Sequence, residues 1–204
     1  MFQRFEIQEP QPTLQVKTIG VIGARRMGSR FAAHALRAGY RTILEDVSPE
    51  MLAAGIAEVQ QSFAGFFAGG DLSAAQCNAA IGGLTTSRSV EDVCRQADML
   101  IESLPEEMEV KLEIFTIFDK FAKPGAILAS NTLTFPIADL AEITFRREEC
   151  VGFRLVNSDP QEPNESSFLE IVRCAETSDA TVAACAEVGR RMGKKFIVFT
   201  EAHS

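Results

Sequence analysis

From residue 17 onward, short apolar runs alternate with longer stretches in which apolar residues recur at helical spacing. Residues 17–22 (KTIGVI) form the first run, and Gly23 breaks it. A short run bounded in this way reads as a buried strand. Over residues 27–38, Met27, Phe31, Ala35 and Leu36 make one apolar stripe, which predicts a helix. Gly39 stands where a left-handed residue closes a helix. Residues 41–44 (RTIL) form a second strand, ended by Glu45 and Asp46, and Ser48 and Pro49 open the next helix as N-cap and first-turn proline. Strand, glycine turn, helix, strand, acid is a βαβ unit, and such a unit requires a parallel sheet.

The alternation continues. Helices are predicted over residues 50–67, 73–80, 90–96, 107–121 and 178–192, and strands over 84–86, 99–102, 126–129, 151–155, 168–172 and 195–199. Residues 161–167 (QEPNESS) read as an exposed loop, and nothing repeats internally. The expected organisation is a leader over 1–16 and one α/β unit over 17–204. That unit is a Rossmann-type, doubly wound, mainly parallel sheet with a helical pair inserted after the second strand.

Composition narrows the function. The 204 residues suit one domain with a buried core. A net charge of −8 argues against nucleic acid or an anionic membrane as partner. No apolar run reaches the ~18 residues of a spanning helix, and residues 1–16 lack the pattern of a signal peptide. The five cysteines (Cys77, Cys94, Cys150, Cys174 and Cys185) contain no CxxC pair, so neither a metal site nor a disulfide frame is suggested. Reduced thiols and a cytoplasmic location are the expectation. The histidines are His34 and His203, which leaves little imidazole for catalysis. Residues 146–149 (RREE) read as a solvated turn, and Glu102 as an ordinary acid at a strand end.

Chemistry enters at the glycine turn. A dinucleotide-binding turn uses G-x-G-x-x-G. Its first glycine makes the turn, its second lets backbone approach the pyrophosphate, and its third lets helix pack on strand. Here the run is Gly23-Ala24-Arg25-Arg26-Met27-Gly28, so Arg25 replaces the second glycine. Asp46 stands about 20 residues on, where an acid holds the adenosine ribose. The Arg25 guanidinium can swing out and pair with phosphate, or it can plug the site. On the plugging arrangement, Arg25→Gly strengthens NADH binding. Two adjacent arginines suit a 2′-phosphate, and Asp46 opposes one.

These segments resemble the NAD-binding domain of the 3-hydroxyacyl-CoA dehydrogenase family. The likeness is carried by residues 17–40 (KTIGVIGARRMGSRFAAHALRAGY), 97–115 (ADMLIESLPEEMEVKLEIF) and 124–137 (PGAILASNTLTFPI), and by the helical pair over 51–81. It implies NAD as cofactor, with Gly23, Arg25, Met27, Gly28, Asp46, Glu106, Lys111 and Asn131 at the cofactor. The family transfers hydride between a 3-hydroxyacyl-CoA and NAD. A histidine serves as base, a glutamate orients it, and a serine and an asparagine hold the substrate oxygen.

Carried over, the orienting glutamate is Glu170 and the asparagine Asn157, while Leu133 stands at the serine position and Arg154 at that of the histidine. An arginine stays protonated near pH 7 and cannot act as base, and the carry-over pairs it with Glu170. Thr134 carries a hydroxyl, but on the opposite face of an extended segment. The family continues past residue 199 into a helical domain, where this sequence has five residues. The resemblance therefore implies a dinucleotide- or acyl-CoA-binding relative with impaired or absent activity, self-associating through the face that domain would cover. The alternatives are an active oxidoreductase in which Arg154 anchors a carboxylate or polarises a carbonyl, and a subunit completed by a partner chain.

Overall fold

A computed structural model describes residues 14–157 and 167–201. The first unit is β1 (Thr18–Ile22), α1 (Arg26–Arg37) and β2 (Arg41–Glu45), followed by the inserted pair α2 (Pro49–Ala68) and α3 (Ala74–Ile81) and by β3 (Leu84–Ser87). Next come α4 (Val90–Cys94), β4 (Met99–Glu102), α5 (Met108–Phe121), β5 (Ile127–Ser130) and α6 (Ile137–Glu142). The last elements are β6 (Cys150–Asn157), β7 (Ser167–Arg173), α7 (Asp179–Arg191) and β8 (Phe196–Thr200). The strands make one sheet in the order β3-β2-β1-β4-β5-β6-β7-β8. Every pairing is parallel except β6 with β7, which is antiparallel. The sheet is thus the mainly parallel, doubly wound one the alternation predicts.

The central strands are buried on both faces, which is why they read as unbroken apolar runs. Val21, Ile101 and Phe153 pack with α1, α2 and α7, whereas Ile22, Leu100 and Leu128 pack with α4, α5 and α6. Local caps fix several helix starts. The Ser48 hydroxyl accepts the Met51 N–H, Ser73 and Gln76 form a capping box, and the Ser178 hydroxyl accepts the Thr181 N–H. Gly39 has φ +82° and closes α1 as expected.

Three local expectations need correction. The single stripe expected on α1 is instead burial of every residue from 28 to 36, because α2 covers the outer face. Helix α6 is not predicted at all, since Pro136 at its N-cap donates no side-chain cap. Its cap is distant: the N–H groups of Ile137 and Ala138 donate to the Glu201 carboxylate at 2.7 and 3.1 Å. The turn at 146–149 is not merely solvated either, because the Arg146 guanidinium donates to the carbonyls of Ala122, Lys123 and Ala126 and ties down the α5–β5 connection.

Candidate functional site

The turn between β1 and α1 keeps the geometry of a nucleotide-binding turn. Gly23 has φ +99°, and a Cβ there would press on the Ser103 carbonyl at 2.8 Å. A Cβ on Gly28 would lie on top of the Gly23 carbonyl, so no larger residue lets α1 start this close to β1. From outside, Gly55 of α2 brings that helix against Ala24 and Ser29. Arg25 is the N-cap, with φ −72° and ψ 177°, a backbone open to any residue. Its side chain is exposed, as is that of Arg26, while Met27 is half-buried. No hydrogen bond or ion pair to the described residues holds the guanidinium in the turn. No acid sits in the first turn of α1 and no side chain caps it, which leaves the partial positive charge of the helix end for an anion.

Asp46 is drawn into the same turn. One carboxylate oxygen accepts the Ala24 N–H and the other the Ser48 N–H, both at 3.0 Å. It thereby ties the end of β2 to the turn and starts α2. The preceding Glu45 is 2% exposed. Burial, and then the charge of Asp46, push its carboxyl up to about 7.

A second cluster lies at the ends of β4 and β5. Glu102 is fully buried, and its carboxylate accepts from Lys111 Nζ at 2.9 and 3.1 Å, from the Leu104 N–H at 2.7 Å and from the Ser130 hydroxyl at 2.6 Å. It is not the ordinary strand-end acid its sequence context suggests. Lys111 is 1% exposed and also meets Glu106 at 3.1 Å. The other Glu106 oxygen gathers the Thr132 and Thr134 hydroxyls and the N–H groups of Leu133 and Thr134, at 2.5 to 3.0 Å. Burial opposes the Glu106 charge, but these bonds and Lys111 outweigh it and hold the carboxyl down at about 2. Residues 132–134 are consequently bent around one carboxylate rather than extended, and Thr134 points where Thr132 does. Leu133 is left 65% exposed.

Beyond this bend, the Asn131 side-chain oxygen accepts the Leu155 N–H at 3.4 Å and links β5 to β6. Arg154 and Glu170 are direct cross-strand partners of β6 and β7. Their side chains form an ion pair of 3.8 Å and are 15% and 21% exposed. The structure thus brings Arg154 and Glu170 together, as the carry-over requires, and Glu106 with Lys111. The Asn157 side chain, residues 158–166 and His203 lie outside the described residues. His34 is buried against Phe66, and burial, then Lys194, Arg30 and Arg37, push its imidazole down to about 3. It is a packing residue. All five cysteines are free and buried. Among the described residues no helix is long and apolar enough to cross a membrane.

Glu102 and Ser130 are the members of this site that sequence reasoning passed over. The signal available for Glu102 was a charged residue closing an otherwise apolar strand.

Comparison with known proteins agrees with the geometry. Residues 18–202 match the family described as 3-hydroxyacyl-CoA dehydrogenase, NAD binding domain. A probable 3-hydroxybutyryl-CoA dehydrogenase of Bacillus subtilis is 31% identical over 181 residues, which are 89% of this chain and 61% of that protein. The 3-hydroxybutyryl-CoA dehydrogenase of Bradyrhizobium diazoefficiens is 32% identical over 183 residues, 90% of this chain and 61% of its own length. Among solved structures, the (S)-3-hydroxybutyryl-CoA dehydrogenase of Ralstonia eutropha superposes with a TM-score of 0.85 at 26% identity, covering 92% of this chain and 65% of that one. The chain therefore spans about three fifths of the length of these relatives. With a family match over nearly all of its described length, the chain belongs to the NAD-binding domain family of the 3-hydroxyacyl-CoA dehydrogenases.

Proposed function

We propose that this chain holds NAD at the β1–α1 turn and does not oxidise 3-hydroxyacyl-CoA. The residues fit the cofactor. Gly23 and Gly28 shape the turn; the end of α1 with Arg25 and Met27 would hold the pyrophosphate, and Asp46, at the same turn, the adenosine ribose. Glu106 and Asn131 would serve the nicotinamide end, with the buried Lys111 keeping Glu106 in place. NAD, when bound, would supply a hydride acceptor.

The observation that carries the second half is the Arg154–Glu170 pair. Oxidising a secondary alcohol requires a group that takes the hydroxyl proton. A guanidinium with a pKa above ~12 holds its own proton at any working pH. Leu133 offers no hydroxyl to the substrate oxygen, and the neighbouring threonines spend theirs on Glu106. Loss of a general base alone costs ~10²–10⁴ in rate. Purified protein given NAD and 3-hydroxybutyryl-CoA is expected to form no NADH between about pH 6 and 10 above the level of an Arg154→Ala/Glu170→Gln variant. NADH formation that Glu170→Gln abolishes would overturn this reading.

The outer strand also supports self-association. Ile197, Val198 and Phe199 of β8 are 49%, 42% and 44% exposed, and β8 is the last strand of the sheet. Apolar side chains grouped on an edge strand favour a partner surface, and a second copy of the chain would cover it.

A further inference from the structure

Arg154 is an anomaly in hydrogen bonding. Its side chain is only 15% exposed, yet its ion pair with Glu170, at 3.8 Å, exceeds hydrogen-bond reach. Its Nε is fully buried and has no partner among the described residues. A guanidinium carries five N–H donors, and leaving them unmet in a buried position is costly. Nε, without exposed surface, is beyond a ligand's reach, but Nη1 and Nη2 also make no hydrogen bond to the described residues and are left to donate to an acceptor.

Space for that acceptor exists. Arg154 lines a cavity of about 520 Å³ between α6 and the ends of β7 and β8. Phe135, Pro136, Ala138 and Ala175 give it apolar walls. Three acids also line it, and each is accounted for. Both Glu201 oxygens accept N–H groups at the start of α6. Asp139 and Glu176 are exposed, where solvent and salt screen them. Arg154 is the cation of this lining.

We propose that this cavity binds a small carboxylate, gripped by the Arg154 guanidinium beside Glu170. A carboxylate matches the planar fork of arginine and accepts two parallel N–H bonds. A thioester or an amide carries no charge and accepts at one oxygen only, so the same donors favour a free acid over an acyl-CoA. The inference rests on Arg154 occupying the place of the family's base, but its failure is separable. Base loss is read by turnover, and the carboxylate site by binding without NAD.

The test uses 3-hydroxybutyrate, acetoacetate and the neutral 3-hydroxybutyramide as probes, followed by protein-observed NMR or calorimetry. Wild-type protein is expected to bind both acids with Kd of about 1–10 mM, in the range of one ion pair in an open cavity, and the amide at least tenfold more weakly. Arg154→Gln should weaken the acids at least tenfold, and Arg154→Lys should fall between, because a point charge replaces the fork. Removing Arg154 alone leaves Glu170 unpaired. The double variant Arg154→Gln/Glu170→Gln therefore decides if the single one is unstable, and it should keep the wild-type melting temperature while losing the acids. Equal affinity for acid and amide, no binding by wild type at about 50 mM, or full affinity in the double variant would each overturn the proposal.

Discussion

The exposed Arg25 guanidinium stands at a helix end that carries no acid and no cap. A cation there is opposed by the helix dipole unless an anion lies between them. A pyrophosphate is such an anion, and the solvent-facing side chain has room to fold onto it. Arg25→Gly and Arg25→Ala are both expected to weaken NADH binding about five- to tenfold, roughly one phosphate contact, with a steeper loss at low salt. Fluorescence titration checks this, and tighter binding by the glycine variant would mean that the side chain obstructs after all. At Glu45 the same scale gives a pH dependence. Its carboxyl sits near 7 in the folded chain, above its ordinary value, mainly through burial. A raised folded value means that the folded state keeps a proton which the unfolded state releases. Its stabilising contribution is therefore complete below the ordinary carboxyl range and is lost as pH rises through about 7. Glu45→Gln has no charge to bury, so its melting temperature relative to wild type should climb between pH 5 and 8, by an amount equivalent to about 1–3 kcal/mol. A difference independent of pH would mean that Glu45 ionises freely.

Between elements, the decisive contact is the lock that Lys111 of α5 forms with Glu102 of β4 and with Glu106 in the loop that joins them. Through Glu106 it fixes the bend at 132–134 after β5, so one ammonium sets the spacing of three elements around the candidate nicotinamide end. Breaking a buried pair by removing one partner costs about 3–5 kcal/mol, whereas replacing both partners by apolar residues is often nearly neutral. Lys111→Met should therefore destabilise by about that amount in urea denaturation, and Lys111→Met/Glu102→Met should lose less than the sum of the two single variants, with Glu106, the Leu104 N–H and the Ser130 hydroxyl still unpaired. Additive losses would show that the two side chains act independently. This lock was illegible in the sequence for a physical reason: residues 102, 106 and 111 lie on a strand, a loop and a helix, and no single period links them. The strands themselves were legible because burial on both faces leaves an apolar run, and α1 because glycine at 28 and at 39 marks both its ends. Helix α6 escaped notice because its cap, Glu201, comes from the far end of the chain. At the site, Arg154 and Glu170 were readable as partners, while the unmet donors of Arg154 became visible only with the cavity beside it.

At the scale of the whole molecule, the sheet is asymmetric. At one end β3 is a short strand of four residues with polar threonines exposed, which suits an edge facing water. At the other end β8 carries FIVFT, exposed on both faces. Ile197 pairs with Glu170 and Phe199 with Val172, so these two apolar side chains share the face that bears the Arg154–Glu170 pair, while Val198 lies on the opposite face. Exposed apolar area on one edge is relieved when a second copy covers it. The net charge of −8 per chain opposes that step through repulsion. The two effects give opposite salt dependences, and this separates an apolar contact from an ionic one. Sedimentation equilibrium is expected to show a monomer–dimer exchange that shifts toward dimer as salt is raised from about 0.05 to 0.5 M, where screening shortens the Debye length from beyond 10 Å to a few ångströms. Ile197→Asp and Phe199→Asp should each return the chain to monomer, whereas Val47→Asp, at an exposed apolar position near the nucleotide turn, should leave the exchange unchanged. A dimer that weakens with salt, or one indifferent to both β8 substitutions, would place the contact elsewhere and make the apolar edge a surface for a different partner.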